Sequence, residues 1–170
     1  MKLTIIPFGK IPERVLNSVK DELRNEFGLI SEILPEKGLP KEYYNPYRHQ
    51  YIAPQILDFL SRNFKGRILG ITDQDLYAEE LNFVFGQAQL NGRVAIVSIA
   101  RLNPQFYKQA YDEEVLIKRA VKEAIHEMGH VLGLKHCENP ECVMCFSNTV
   151  FDVDRKTKNV CEKCRKQLKI

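Results

Sequence analysis

Apolar positions along this chain fall into short runs, each bounded by turn residues, until a single long helical pattern near residue 112. Lys2 to Ile6 reads as a strand, and Pro12 to Glu26 as an amphipathic helix with Pro12 near its first turn. Gly28 is placed to end that helix, and Leu29 to Leu34 reads as a second strand. Residues 35–54 are rich in Pro and Tyr and are expected to form a structured loop. A short helix over Ala53 to Asn63 then leads through Gly66 to a strand at Arg67 to Thr72. Phe83 to Gly86 and Val94 to Ile99 flank Asn91-Gly92, a hairpin signal because both turn residues accept positive φ. The expected class is α/β (α+β): four to five strands with interspersed helices, followed by one long helix from Asp112 to about Leu132.

That long helix divides into faces. At about 100° per residue, Ile117, Val121, Ala124, Ile125, Met128 and Leu132 share one apolar stripe. His126 and His130 fall on the opposite side with Arg119 and Glu123, so packing the stripe on a sheet turns both histidines towards a cleft.

Composition excludes several classes. With 44% apolar and 28% charged residues in 170, the chain is long enough to bury a core and has the balance of a soluble domain. A net charge of +3 is too small to argue for nucleic acid. No stretch approaches the roughly 20 apolar residues of a membrane helix. The apolar run at the N-terminus is too short for a signal peptide, so a cytoplasmic protein is expected; a monomer is expected as well.

The distribution of chemistry says more. All five cysteines lie after residue 136, and three of the four histidines lie between 126 and 136. In a chain with no export signal, clustered cysteines favour metal over disulfides. His126-Glu127-Met128-Gly129-His130 is an HExxH, whose histidines sit one turn apart on one helix face, within reach of one zinc. Val131 to His136 extends it to HExxHxxGxxH. Gly133 lets the backbone leave the helix in a left-handed conformation, and the turn returns His136 as a third ligand. Three neutral imidazoles leave zinc an open position for water, and Glu127, rotated around the helix, is the catalytic general base. Peptide-bond hydrolysis is the natural reaction for that set. Among the cysteines, spacing alone selects Cys142-x-x-Cys145 with Cys161-x-x-Cys164, a zinc-ribbon pattern.

These residues resemble the metzincins and, within them, the archaemetzincins: the extended histidine motif is followed at once by Cys137, then by Cys142-Val143-Met144, and finally by Cys161-x-x-Cys164. The resemblance implies a metzincin-like fold with a methionine turn at Met144 beneath the zinc. It implies two Zn2+ per chain, one catalytic on His126, His130 and His136 and one structural on Cys137, Cys142, Cys161 and Cys164. It also makes the strand around Phe83 to Ala88 the sheet edge above the cleft, where an extended peptide could pair. Cys145 lies outside the family pattern. The chain then divides into an N-terminal subdomain with the active-site helix (1–136) and a small zinc-stapled C-terminal subdomain (137–170).

The expected function is a zinc metallopeptidase acting on peptide or protein substrates, as an aminopeptidase or a limited endopeptidase. Phe146, Ser147 and Asn148 are candidates for its specificity pocket. The alternative is a catalytically silent zinc-binding or nucleic-acid interaction module on the same scaffold, supported by the ribbon spacing and the basic flanks. Asp73 and Asp75 read as turn residues, His49 as part of a surface loop, and Arg155-Lys156-Thr157-Lys158 as solvated surface.

Overall fold

The computed structural model describes residues 1–170. Eight strands and five α-helices follow one another as β1 (Lys2–Phe8), α1 (Glu13–Phe27), β2 (Ile30–Ile33), β3 (Tyr44–Asn45), β4 (Gln50–Ile52), α2 (Ala53–Asn63), β5 (Ile68–Thr72), β6 (Leu76–Tyr77), β7 (Gly86–Ala88), β8 (Val94–Ser98), α3 (Glu113–Val131), α4 (Val150–Arg155) and α5 (Glu162–Gln167). The main sheet has five strands in the order β2-β1-β5-β8-β7. Neighbours are parallel except β7, which runs antiparallel to β8 at one edge.

Alternation along the strands explains the layers. Leu3, Ile5, Leu69, Ile71, Ala95 and Val97 point to one face and join the larger apolar cluster with α1 and α3. Ile6, Phe8, Ile68, Val94 and Ile96 point to the other and pack with α2. The central strands β5 and β8 are buried at every position, as a sheet covered on both faces requires. Helix boundaries follow local chemistry. Gly28 caps α1 in the left-handed region at φ 71°. The Asp112 carboxylate accepts the Val115 N–H at the start of α3.

Residues 137–170 add Val143, Met144, Val150, Val153 and Val160 to the larger cluster. The buried Glu26 at the end of α1 ties them down further, accepting from Asn159 Nδ2 at 2.8 Å and pairing with Arg165. No helix is long and apolar enough to cross a membrane.

Two expectations are corrected. The Tyr-rich segment is not only loop: β3 and β4 pair antiparallel, and β4 pairs with β6, in a small second sheet. Strands of two or three residues carry too few positions for an alternation to be read. The strand before the hairpin is Gly86–Ala88 rather than Phe83 to Gly86, and it lies inside the Phe83 to Ala88 edge that the resemblance implies; Val84 bridges to Leu76, and the Phe85 carbonyl accepts the Ser98 N–H just ahead of the strand.

Candidate metal centres and cleft

Helix α3 supplies the first half of the site. His126 and His130 stand one turn apart, and their Nδ1 atoms donate to the carbonyls of Val143 and Leu134, both at 2.7 Å. These bonds fix the tautomer, so each ring offers Nε2 outward. The two Nε2 atoms are 3.2 Å apart, close to the roughly 3.3 Å that two nitrogens on one tetrahedral zinc would show. The helix ends at Leu132, and Gly133 takes φ 102°. That turn brings His136 back to ring-centroid distances of 5.3 Å from His126 and 4.8 Å from His130. One donor atom from each of the three lies within 4.8 Å of the others. The convergence expected from the spacing is present.

Burial sets the protonation of this cluster. His126 is held well below the ordinary imidazole range, mainly by desolvation and then by the nearby Lys156 charge. Desolvation also lowers His130 and His136. Neutral rings are the metal-binding form. Glu127 lies with Oε1 3.8 Å from His126 Nε2, and its Oε2 is buried without a hydrogen-bond partner. Desolvation, reinforced by Glu123 and opposed by Lys156, holds its carboxyl well above the usual range. Room for this side chain depends on β7: a Cβ at Gly86 would stand 3.0 Å from Glu127 Cγ and 2.6 Å from the Ile96 carbonyl.

A cleft of about 590 Å³ opens over these groups. The Leu81–Ala88 segment lines it together with Phe146, Ser147 and Asn148. Met144 lies beneath the helix, fully buried, where a Cβ on Gly129 would come within 2.4 Å of its Sδ.

The four thiols of Cys137, Cys142, Cys161 and Cys164 form a second cluster. Cys137 and Cys161 Sγ are 3.8 Å apart, and Cys142 and Cys164 Sγ 3.9 Å. Sulfurs on one tetrahedral zinc would be about 3.8 Å apart, whereas a disulfide would bring them to about 2.05 Å. The N–H groups of Met144 and Cys161 point at Cys142 Sγ. The Cys161 thiol is lowered to about 7, first by the Cys164 backbone N–H. Cys145 stays outside, its thiol directed at the Phe146 carbonyl. The donor set built around Cys142-x-x-Cys145 is therefore not assembled in the fold.

Other sequence candidates lie elsewhere. Asp75 is bound by Arg101, and Asp73 accepts the Lys10 N–H, so both have structural roles. His49, exposed in the turn between β3 and β4, meets Tyr44. One reading fails outright. Lys156, expected on a solvated surface, is 2% exposed, because the chain turns inward where α4 ends. Its Nζ lies 3.0 Å from Glu123 Oε2 and donates to the Cys145 carbonyl. Neither Glu123 nor Lys156 was picked out by any motif. The only available signal was the placement of Glu123 on the histidine face.

Known proteins match this arrangement. The sequence profile of Peptidase family M54 matches residues 4–170. An archaemetzincin of Methanocaldococcus jannaschii is 46% identical over 168 residues, covering 99% of this chain and 93% of its own. The crystal structure of archaemetzincin from Methanopyrus kandleri superposes with a TM-score of 0.88 at 41% identity, over 98% of this chain and 92% of that one. A structure described as a zinc-dependent peptidase from Methanocorpusculum labreanum gives 0.88 at 33% identity, over 97% and 98%. By profile, sequence and fold together, the chain belongs to Peptidase family M54, the family of the archaemetzincins.

Proposed function

We propose that the cleft hydrolyses peptide bonds, with zinc held by His126, His130 and His136 and with Glu127 as general base. One observation carries this reading: a three-nitrogen donor set stands beside a buried, unpartnered carboxylate oxygen in a single open cleft. Zinc bound there supplies a Lewis acid that polarises a carbonyl and lowers the pKa of a coordinated water from 15.7 towards about 7.

The chain's own groups do the rest. The carbonyls of Val143 and Leu134 hold His126 and His130 in the orientation and tautomer that offer Nε2. Glu127 takes the proton of the attacking water on its carboxylate and hands it to the departing amine nitrogen. Its buried setting raises proton affinity, which suits a group that must accept a proton and then release it. β7 ends the sheet beside the cleft, and its unpaired edge suits an extended peptide that adds as a further strand.

A second zinc on Cys137, Cys142, Cys161 and Cys164 completes the reading. Four thiolates saturate the ion, so its role is to staple residues 137–170 as a small subdomain. The competing picture of a nucleic-acid module loses support, because the basic run that favoured it buries Lys156 against Glu123.

The test is Glu127→Ala. Metal analysis should still find about two zinc per chain, while kcat/KM for peptide hydrolysis falls by about 10²–10⁴. Full activity in that variant removes Glu127 from the mechanism. Mapping the bond cleaved in a peptide library separates an aminopeptidase from a limited endopeptidase.

A further inference from the structure

The small sheet β3-β4-β6 takes no part in hydrolysis, yet its side chains reach the rim of the cleft. Asn45 Oδ1 accepts the N–H groups of Tyr47 and Arg48, at 3.0 and 3.2 Å, and shapes the turn that presents Arg48. The Arg48 guanidinium lies 4.0 Å over the Tyr77 ring of β6. From there its Nη2 donates to the carbonyls of Leu81 and Asn82, at 3.0 and 3.1 Å. Gln50, buried in β4, accepts from Arg48 Nε and donates to the Asn82 carbonyl and to Asp75, both at 2.9 Å. Asp75 pairs through both oxygens with Arg101, whose guanidinium lies against the rings of Phe83 and Phe106 at 4.2 and 4.8 Å. Leu81 to Phe83 belong to no strand, so these side chains fix a strip that the ladders leave free.

That strip begins where the open sheet edge stops. The Phe85 carbonyl accepts from Ser98 and the Gln89 N–H donates to Val94, so alternation turns Gly86 and Ala88 towards the unpaired edge of β7. At Val84 the edge is already closed, because its N–H donates to the Leu76 carbonyl at 3.0 Å. A peptide added to β7 therefore finds main-chain partners along 3 residues only. Farther along the same cleft it meets the side chains of Leu81, 44% exposed, and Phe83.

We propose that Arg48, Gln50, Asp75 and Arg101 are positioning residues for substrate. They hold the Leu81–Phe83 strip as a platform for an apolar side chain of the peptide, beyond the stretch paired with β7. A strip ordered beforehand loses little conformational freedom when the peptide arrives, so more of the apolar contact appears as affinity. The network acts on binding of the outer part of the peptide, and the groups around Glu127 act on the bond.

This platform rests on the peptidase reading of the cleft, and the experiment tells their failures apart. Nested peptides around one cleavable bond are lengthened a residue at a time from either end, with Leu or Asp as the added residue. For the zinc-loaded enzyme, KM should fall about tenfold when one particular outer position gains Leu, and should hardly change for Asp. Arg48→Ala should shrink that gain to about twofold, through KM rather than kcat. Arg48→Lys keeps the charge but cannot fork onto two carbonyls, so it should restore only part of the gain. Gln50→Ala should act like Arg48→Ala; Arg48 is exposed, so its variants stay informative if the buried change fails to fold. A merely structural role would instead alter short and long peptides alike and move kcat with KM. That result, a gain that Arg48→Ala leaves intact, or no gain at any position overturns the platform and spares the peptidase reading. Absence of cleavage across the whole set overturns both.

Discussion

The histidine and cysteine clusters meet at one peptide bond, between His136 and Cys137, yet they are assembled in opposite ways. Two of the three imidazoles ride on a long helix packed into the main core, and backbone carbonyls aim both rings. The cysteines come from a loop and from the start of a six-residue helix, with contacting thiols separated by 24 and 22 positions along the chain. A rigid scaffold can hold three donors in place and leave a coordination position open for chemistry. Loops and short helices cannot hold four, and on the proposed reading a metal there would organise the protein. On that reading the open site is presented by the fold, whereas the closed one would help to make it.

The largest effect should come from breaking the closed site. Cys142→Ser removes a thiolate at the centre of the cluster, next to the segment that carries Met144 and the wall of the cleft. Since folding of such a segment is coupled to metal binding, we expect a loss on the order of 5 kcal/mol and about one zinc fewer per chain. Hydrogen exchange should show residues 137–170 exchanging freely while β1, β5 and β8 stay protected. An unchanged melting temperature and unchanged protection would mean that apolar packing alone holds this segment, and the contrast between the clusters would dissolve.

What could be read from the sequence follows the same division. His126, His130, Gly133 and His136 lie within one local stretch, so helix geometry and one left-handed residue dictate their convergence. The cysteine set needed the family resemblance to choose Cys137 over Cys145, because ribbon spacing and family spacing share three of the same residues. Glu123 and Lys156 were illegible for a different reason. They are separated by 33 positions, counting from 123 to 156, and a lysine in a basic run looks solvated until tertiary packing buries it. The strand before the hairpin was begun three residues early because Phe83 and Phe85 are apolar for the larger core and Val84 for the smaller one.

A middling effect should appear where the two regions touch. Gly129 faces Met144, and an added Cβ would stand 2.4 Å from its Sδ. Replacing Gly by Ala in a helix interior ordinarily gains about 1 kcal/mol, but overpacking a filled core loses about 1–3 kcal/mol. Met144 is fully buried within the larger core, so crowding should win for Gly129→Ala by about 1 kcal/mol. Calorimetry should find the melting temperature lower by about 2–4 °C. A rise of similar size would show that Met144 gives way freely and that the helix and the cysteine loop are only loosely coupled.

The smallest expected effect is the most discriminating between the two cysteine sets. Cys145 is half-buried, its thiol reaches only the Phe146 carbonyl, and it stands apart from the other four. Cys145→Ser replaces that thiol with a hydroxyl of nearly the same reach, able to donate to the same carbonyl. The interaction that matters at this position is made by the backbone, where the Cys145 carbonyl accepts from Lys156, and the substitution leaves it in place. Stability should therefore change by no more than about 0.5 kcal/mol, and zinc content should stay at about two per chain. Were Cys145 a ligand instead, the same change would strip a thiolate from a closed site and lower both together. One metal assay on this variant thus decides whether Cys137 or Cys145 supplies the one sulfur in which the two sets differ.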